Sequence, residues 1–185
     1  MTTQTSVILI LAIVAIGAIA LILLRRRTKK LKSKFGPEYQ RVVYERGSTF
    51  KAEHELEERA KRVEKLRLRY LNNEEAEEFA RAWRTAQEKF VDDPRGAVAD
   101  ADLLVERTMK AKGYPTGGEF DDQAADLSVD HPLVISNYRA AHEIAIRDAK
   151  SPVSTEDLRL AMKHYRALFE DLLNRKVEEI TGARK

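Results

Sequence analysis

The chain contains no cysteine in its 185 residues. That absence excludes a disulfide framework, a thiolate zinc site, an iron–sulfur cluster and a cysteine nucleophile, and leaves the redox compartment open. Beyond residue 24 there is no alternating β-branched run of the kind a half-buried strand requires. A chain this short has room for one small domain with an appendage, which argues against a large multidomain enzyme. The most telling absence is of charge: residues 1–24 carry no Asp, Glu, Lys or Arg.

What fills that stretch is apolar. Val7 to Leu24 runs unbroken for 18 residues, with six Ile, five Leu and two Val, and only Gly17 as a poor helix former. As a helix it would measure about 27 Å, close to the thickness of a bilayer core. A soluble core helix would show polar residues at helical spacing, and none occurs. The competing reading is a secretory signal, since Ala18-Ile19-Ala20 resembles a cleavage site. The apolar run continues past it, however, and no Lys or Arg precedes it, contrary to a signal's usual charge order. The positive charge follows instead, as Arg25, Arg26, Arg27, Lys29, Lys30, Lys32 and Lys34. The positive-inside rule then leaves this flank in the cytoplasm and the short N-terminus outside. The expectation is a signal anchor, single-pass and uncleaved, with those seven cations against anionic lipid headgroups as topology contacts. Reversed topology, or a cleaved and secreted domain, is the alternative.

The net charge of +3, less the seven cations of residues 25–34, leaves −4 on residues 35–185. A net-negative remainder lacks the electrostatic footprint of a nucleic-acid binder, so no nucleic-acid partner is expected.

The remainder repeats one pattern: a helix start signal, an apolar stripe of period near 3.6, then a Gly or Pro stop. Gly36-Pro37 breaks the basic helix and starts a short one ending near Gly47. From Phe50 to Tyr70 the chain reads as a solvated helix with one thin seam: Leu56, Val63, Leu66 and Tyr70. Glu55–Arg59, Glu57–Lys61 and Glu58–Arg62 lie at the favourable i,i+4 spacing. Asn72 with Glu75 has capping-box spacing ahead of Phe79, Trp83, Ala86 and Phe90. Asp93-Pro94 caps a second helix with Val98, Ala101, Val105 and Met109 on one face, stopped at Gly113. A short helix is expected around Phe120–Leu127. Asp130 is expected to cap a third helix with Pro132 in its first turn and Val134, Tyr138, Ala141 and Ala145 on its buried face. Ser154 with Asp157 caps a fourth, striped by Leu158, Ala161, Tyr165, Leu168, Phe169 and Leu172.

The fold expected is therefore all-α: an N-terminus (1–6), a transmembrane helix (7–24), a basic juxtamembrane segment (25–34), a charged helical stalk (35–71), a bundle of about four main helices (72–175) and a frayed tail (176–185).

No constellation that carries chemistry emerges. His54 sits among stalk charges. His142 and His164 fall on neighbouring helices, but Arg139 and Ala161 occupy the positions where a di-metal bundle needs Glu. His142-Glu143 is not followed by the second His of a zinc-protease signature. Asp130-His131-Pro132 invites an acid–base reading, yet Asp before Pro is what a helix cap requires. Gly113 to Gly118 lacks phosphate-loop spacing and follows no strand. No catalytic, metal or cofactor residue is expected, and no enzyme activity. Trp83, His142 and His164 remain as candidates for a small-molecule pocket with weak chemistry.

Several stretches nonetheless resemble a family: Phe35-Gly-Pro-Glu-Tyr-Gln-Arg-Val-Val43, Trp83 through Phe90-Val-Asp-Asp-Pro94, Ala124-Ala-Asp-Leu-Ser-Val-Asp-His131, Asn137-Tyr-Arg-Ala-Ala-His142 and Met162-Lys-His-Tyr-Arg-Ala-Leu-Phe169. They are similar to uncharacterised bacterial proteins with one N-terminal transmembrane helix, some labelled secreted. The resemblance implies a bacterial inner-membrane setting and no activity. The function expected is a membrane-anchored helical interaction or scaffold module facing the cytosol, with a protein partner or a second copy. The alternative is a ligand-binding bundle.

Overall fold

A computed structural model describes the backbone of residues 3–174 and the side chains of residues 11–173. Residues 175–185, which include the frayed tail expected at 176–185, lie outside the described residues. The described residues form eight helices and no strand: α1 Thr3–Phe35, α2 Pro37–Arg46, α3 Thr49–Glu64, α4 Asn73–Lys89, α5 Pro94–Lys112, α6 Phe120–Asp130, α7 Ile135–Lys150 and α8 Thr155–Asn174. The chain divides into two compact units, Met1–Glu57 and Glu58–Lys185, with the boundary inside α3.

In the first unit, α1 is continuous for 33 residues and ends at Gly36, whose φ of 49° few other residues would adopt. Pro37 opens α2, which closes on left-handed Gly47. Leu31, Phe35, Tyr39, Val42, Ala52 and Leu56 are buried. Polar groups tie α3 back alongside α1. Arg27 forks onto the carboxylate of Glu57 at 2.5 and 2.9 Å. Thr28 Oγ1 and Tyr39 Oη both donate to Glu53 Oε1, at 2.7 and 2.9 Å. Glu53 is buried, and those donors compensate its loss of water. Arg46 also pairs with Glu55. The expected stalk is thus partly a packed unit, because its charges reach other helices as well as neighbours on their own. α3 also stops at Glu64, short of Tyr70.

The membrane-spanning expectation is not carried by this structure: among the described residues, no helix is long and apolar enough to cross a membrane. The described apolar side chains of α1 run from Leu11 to Leu24, which is 14 residues against the roughly 20 a span needs. Val7 to Ile10, the first part of the expected span, are outside the described side chains.

The second unit is a bundle. α8 packs against both α7 and α5, α4 packs on α5, and α6 on α7. Asn72 and Glu75 form the expected capping box, Asp93 Oδ1 accepts from Gly96 N at 2.9 Å, and Ser154 Oγ accepts from Asp157 N at 3.1 Å. Every residue of the expected α8 stripe is buried, as are Phe79, Trp83, Ala86, Val98, Ala101, Val105 and Met109. Trp83 stacks on Phe169 with ring centroids 4.8 Å apart, joining α4 to α8. The second half of α3 is held by Arg62 on buried Asp126 at 2.6 Å and by Arg59 donating to Ser128 at 3.3 Å.

One boundary differs from expectation. Asp130 does not cap a helix; it ends α6, and His131 to Val134 form a turn before α7 starts at Ile135. Proline disfavours α conformation in the residue before it, and His131 accordingly sits at φ −121°, ψ 46°. The later start changes the buried face of α7 to Ile135, Tyr138, Ala141 and Ile144, leaving Val134 and Ala145 half-buried.

Gly113 closes α5 at φ 95°, and a Cβ there would lie 2.6 Å from the Arg67 carbonyl oxygen. Gly113→Ala should therefore cost more than about 1 kcal/mol in urea unfolding. Phe169→Ala should cost about 3–5 kcal/mol. Wild-type midpoints in both variants would contradict this packing.

Candidate functional site

Three sites follow from this architecture. The first is the cationic end of α1. Arg26, Lys29, Lys30, Ser33 and Lys34 fall at helical spacing on one face and line an open hollow of about 470 Å³. Of the seven expected lipid contacts, Arg27 is engaged by Glu57, and Lys32 Nζ lies 5.4 Å above the Tyr39 ring. Arg25, Arg26, Lys29, Lys30 and Lys34 are exposed and form no ion pair among the described residues. The cluster is sorted: two cations hold the unit together and five face outward.

The second is a hollow of about 260 Å³ between α4 and α8, lined by Trp83, Gln87, Phe90, Arg159, Met162, Lys163 and Arg166. Trp83 reaches it because the α4 stripe turns inward at that position, and it rests on Phe169. The cations come from the solvent face of α8 at steps of four and three. Of the three pocket candidates only Trp83 lines this space. His142 is stacked flat on Phe120, centroids 3.5 Å apart, and His164 Nδ1 lies 2.9 Å from Asn137 Oδ1. The expected cluster of Trp83, His142 and His164 therefore does not assemble around this hollow; each histidine is committed to α6 or α7 contacts.

The third was weighed in the sequence only as the triplet Asp130-His131-Pro132 and set aside as a helix cap. His131 is 1% exposed, and its Nδ1 lies 2.5 Å from Asp171 Oδ2, within hydrogen-bond distance. Tyr114 Oη donates to Asp130 Oδ2 at 2.8 Å, and buried Lys112 Nζ donates to the Leu172 carbonyl at 3.0 Å. With Leu68, Arg69 and Tyr70, the residues Lys112, Tyr114, Asp130 and His131 surround about 200 Å³. Asp171 lies forty positions from His131, and no local pattern signals that pairing. What this cluster visibly does is lock the ends of α5, α6 and α8 together.

Titration is perturbed most inside the bundle. Burial raises the Asp102 carboxyl above its usual range; Tyr165 and His142 oppose that shift and Glu106 adds to it. Burial, then the charge of Asp102, pushes the Tyr165 phenol far above the ordinary tyrosine range, and Tyr138 shifts the same way. The Tyr165 hydroxyl has no well-formed hydrogen bond among the described residues, so its coupling to Asp102 is chiefly electrostatic. In the first unit, burial and Glu53 push Tyr39 up to about 12. Among the described residues, no group of three or more His, Asp or Glu could hold a metal ion.

No protein family, curated protein or solved structure matches the chain.

A raised carboxyl pKa means the folded state favours the protonated form. Its contribution to stability is complete below the unfolded value, near 3.8, and is lost as pH rises through the higher folded value. Asp102→Asn removes that penalty. The melting temperature of the variant relative to wild type should be more favourable at pH 7 than at pH 3.5. A pH-independent difference, or the reverse trend, would contradict the assignment.

Proposed function

We propose that the chain is a membrane-tethered helical interaction module. Residues 7–24 form a single span, the N-terminus lies outside, and the bundle faces the cytosol, in the bacterial inner-membrane setting that the family resemblance implies. The observation that supports this most is the order of side chains along one uninterrupted helix: 18 apolar residues without charge, then seven cations within ten positions. At roughly 0.3–0.6 kcal/mol each, the 13 large aliphatic residues favour insertion by at most about 4–8 kcal/mol. The five outward cations each add about 1 kcal/mol of attraction to an anionic leaflet.

Tethering confines the bundle near the membrane and raises its effective concentration toward partners there. Leu103, 58% exposed, overhangs a hollow lined by Ala82, Ala86, Leu104 and polar Thr85, Asp100 and Arg107, which gives the bundle an apolar surface for a protein partner or a second copy.

Alkaline carbonate extraction should leave the full chain in the membrane pellet. A C-terminal fluorescent-protein fusion should fluoresce, while a C-terminal alkaline phosphatase fusion should stay inactive. Replacing the seven cations with Gln should shift at least a several-fold larger share of the population to phosphatase-active topology. Release by carbonate, or phosphatase activity in the wild type, would overturn the reading.

A further inference from the structure

We propose that the hollow between α4 and α8 is a binding site for a small amphipathic anion: a compact apolar body carrying one carboxylate. Its size sets the first limit. At about 260 Å³ it lies below the usual range for drug-sized ligands, and it accommodates a single ring with a short chain. Its walls set the second. Trp83, Phe90 and Met162 supply aromatic and thioether surface, and removing water from it favours an apolar body.

Its rim sets the sign of the charge. The charged lining residues are Arg159, Lys163 and Arg166, and no carboxylate lines the space. Arg159 pairs with Glu156 at 3.2 Å and Arg166 with Glu170 at 2.7 Å, both on the exposed surface of α8. Those pairs hold the two guanidinium groups along the helix and partly offset their charge. Lys163, midway between them, has no hydrogen-bond or ion-pair partner among the described residues. It is therefore the group that a bound carboxylate would engage. Trp83 contributes ring surface to the wall while remaining 5% exposed, and its indole N–H is buried away from solvent. A neutral ligand would use the walls and leave Lys163 in water; a cation would meet three positive charges.

Trp83 is the only tryptophan in the chain, so its emission reports occupancy of the site directly. The test uses the full chain in zwitterionic nanodiscs, with empty discs subtracted, titrated with 4-phenylbutyrate, 4-phenylbutanol and 4-phenylbutylamine. For a ligand this small the expected Kd is on the order of 0.1–1 mM. The acid should give a saturable change in Trp83 emission, at least fivefold tighter than the alcohol, with the amine weakest. Lys163→Gln, a change at an exposed position, should weaken the acid three- to tenfold and leave the alcohol unchanged; Lys163→Arg should restore most of the loss. Equal binding of acid and alcohol marks a pocket for an apolar side chain and overturns the proposal. So does a linear, non-saturable response, or an unchanged affinity in Lys163→Gln. The hollow is lined by α4, Phe90 just after it and α8 alone, so failure here leaves the membrane reading intact; if α1 does not insert, the same titration runs on the chain without discs.

Discussion

Keeping charge out of apolar surroundings unless it is compensated is the constraint on which this structure rests. Glu53 is buried only where Thr28 and Tyr39 donate to it, and Asp126 only where Arg62 reaches it. Lys112 is buried with its ammonium on the last turn of α8, where free carbonyls favour a cation. Asp102 is half-buried with less compensation, and its acidity shifts as a result. The same rule sorts α8 lengthwise: its inward stripe from Leu158 to Leu172 carries no charge, and the charges it excludes become the rim of the hollow beside Trp83.

Local signals in the chain carried most of the second unit. Capping boxes, Pro at a first helical turn and Gly at a C-terminus are interactions between residues within four positions of each other. That is why α4, α5 and α8 begin, and α5 stops, where their residues indicate. α7 was displaced because Asp130-His131-Pro132 satisfies two local rules at once. Asp before Pro suits a helix start, yet the restriction that Pro132 places on His131 ends α6 instead. Only the distant partners Tyr114 and Asp171 decide between them, and a pairing across forty residues leaves no mark in a short window.

The candidate site was legible in part for the same reason. Trp83 was identifiable because an aromatic residue on a stripe must meet something. Its association with Lys163 depends on how α4 and α8 are rotated about their axes, which periodicity alone does not specify. His142 and His164 illustrate the converse: they lie on adjacent helices, but Phe120 and Asn137 claim them first. In the first unit, i,i+4 charge pairs were read along α3, whereas Glu53, Glu55 and Glu57 reach residues on α1 and α2 or close after them. A charged helix reads as solvated until the charges opposite it are known.

The proposed tether applies the desolvation constraint most severely, since hydrocarbon supplies neither water nor counter-charge to residues 7–24. Depth measured along α1 tests it most directly. Because the chain has no cysteine, Ile16→Cys and Lys30→Cys each place a single nitroxide in the reconstituted protein. Power-saturation spectroscopy then compares collisions with oxygen, which concentrates in lipid, against a nickel chelate, which stays in water. The account predicts that the label at position 16 meets oxygen and is shielded from nickel, with the order reversed at position 30. Equal nickel access at both positions would contradict it.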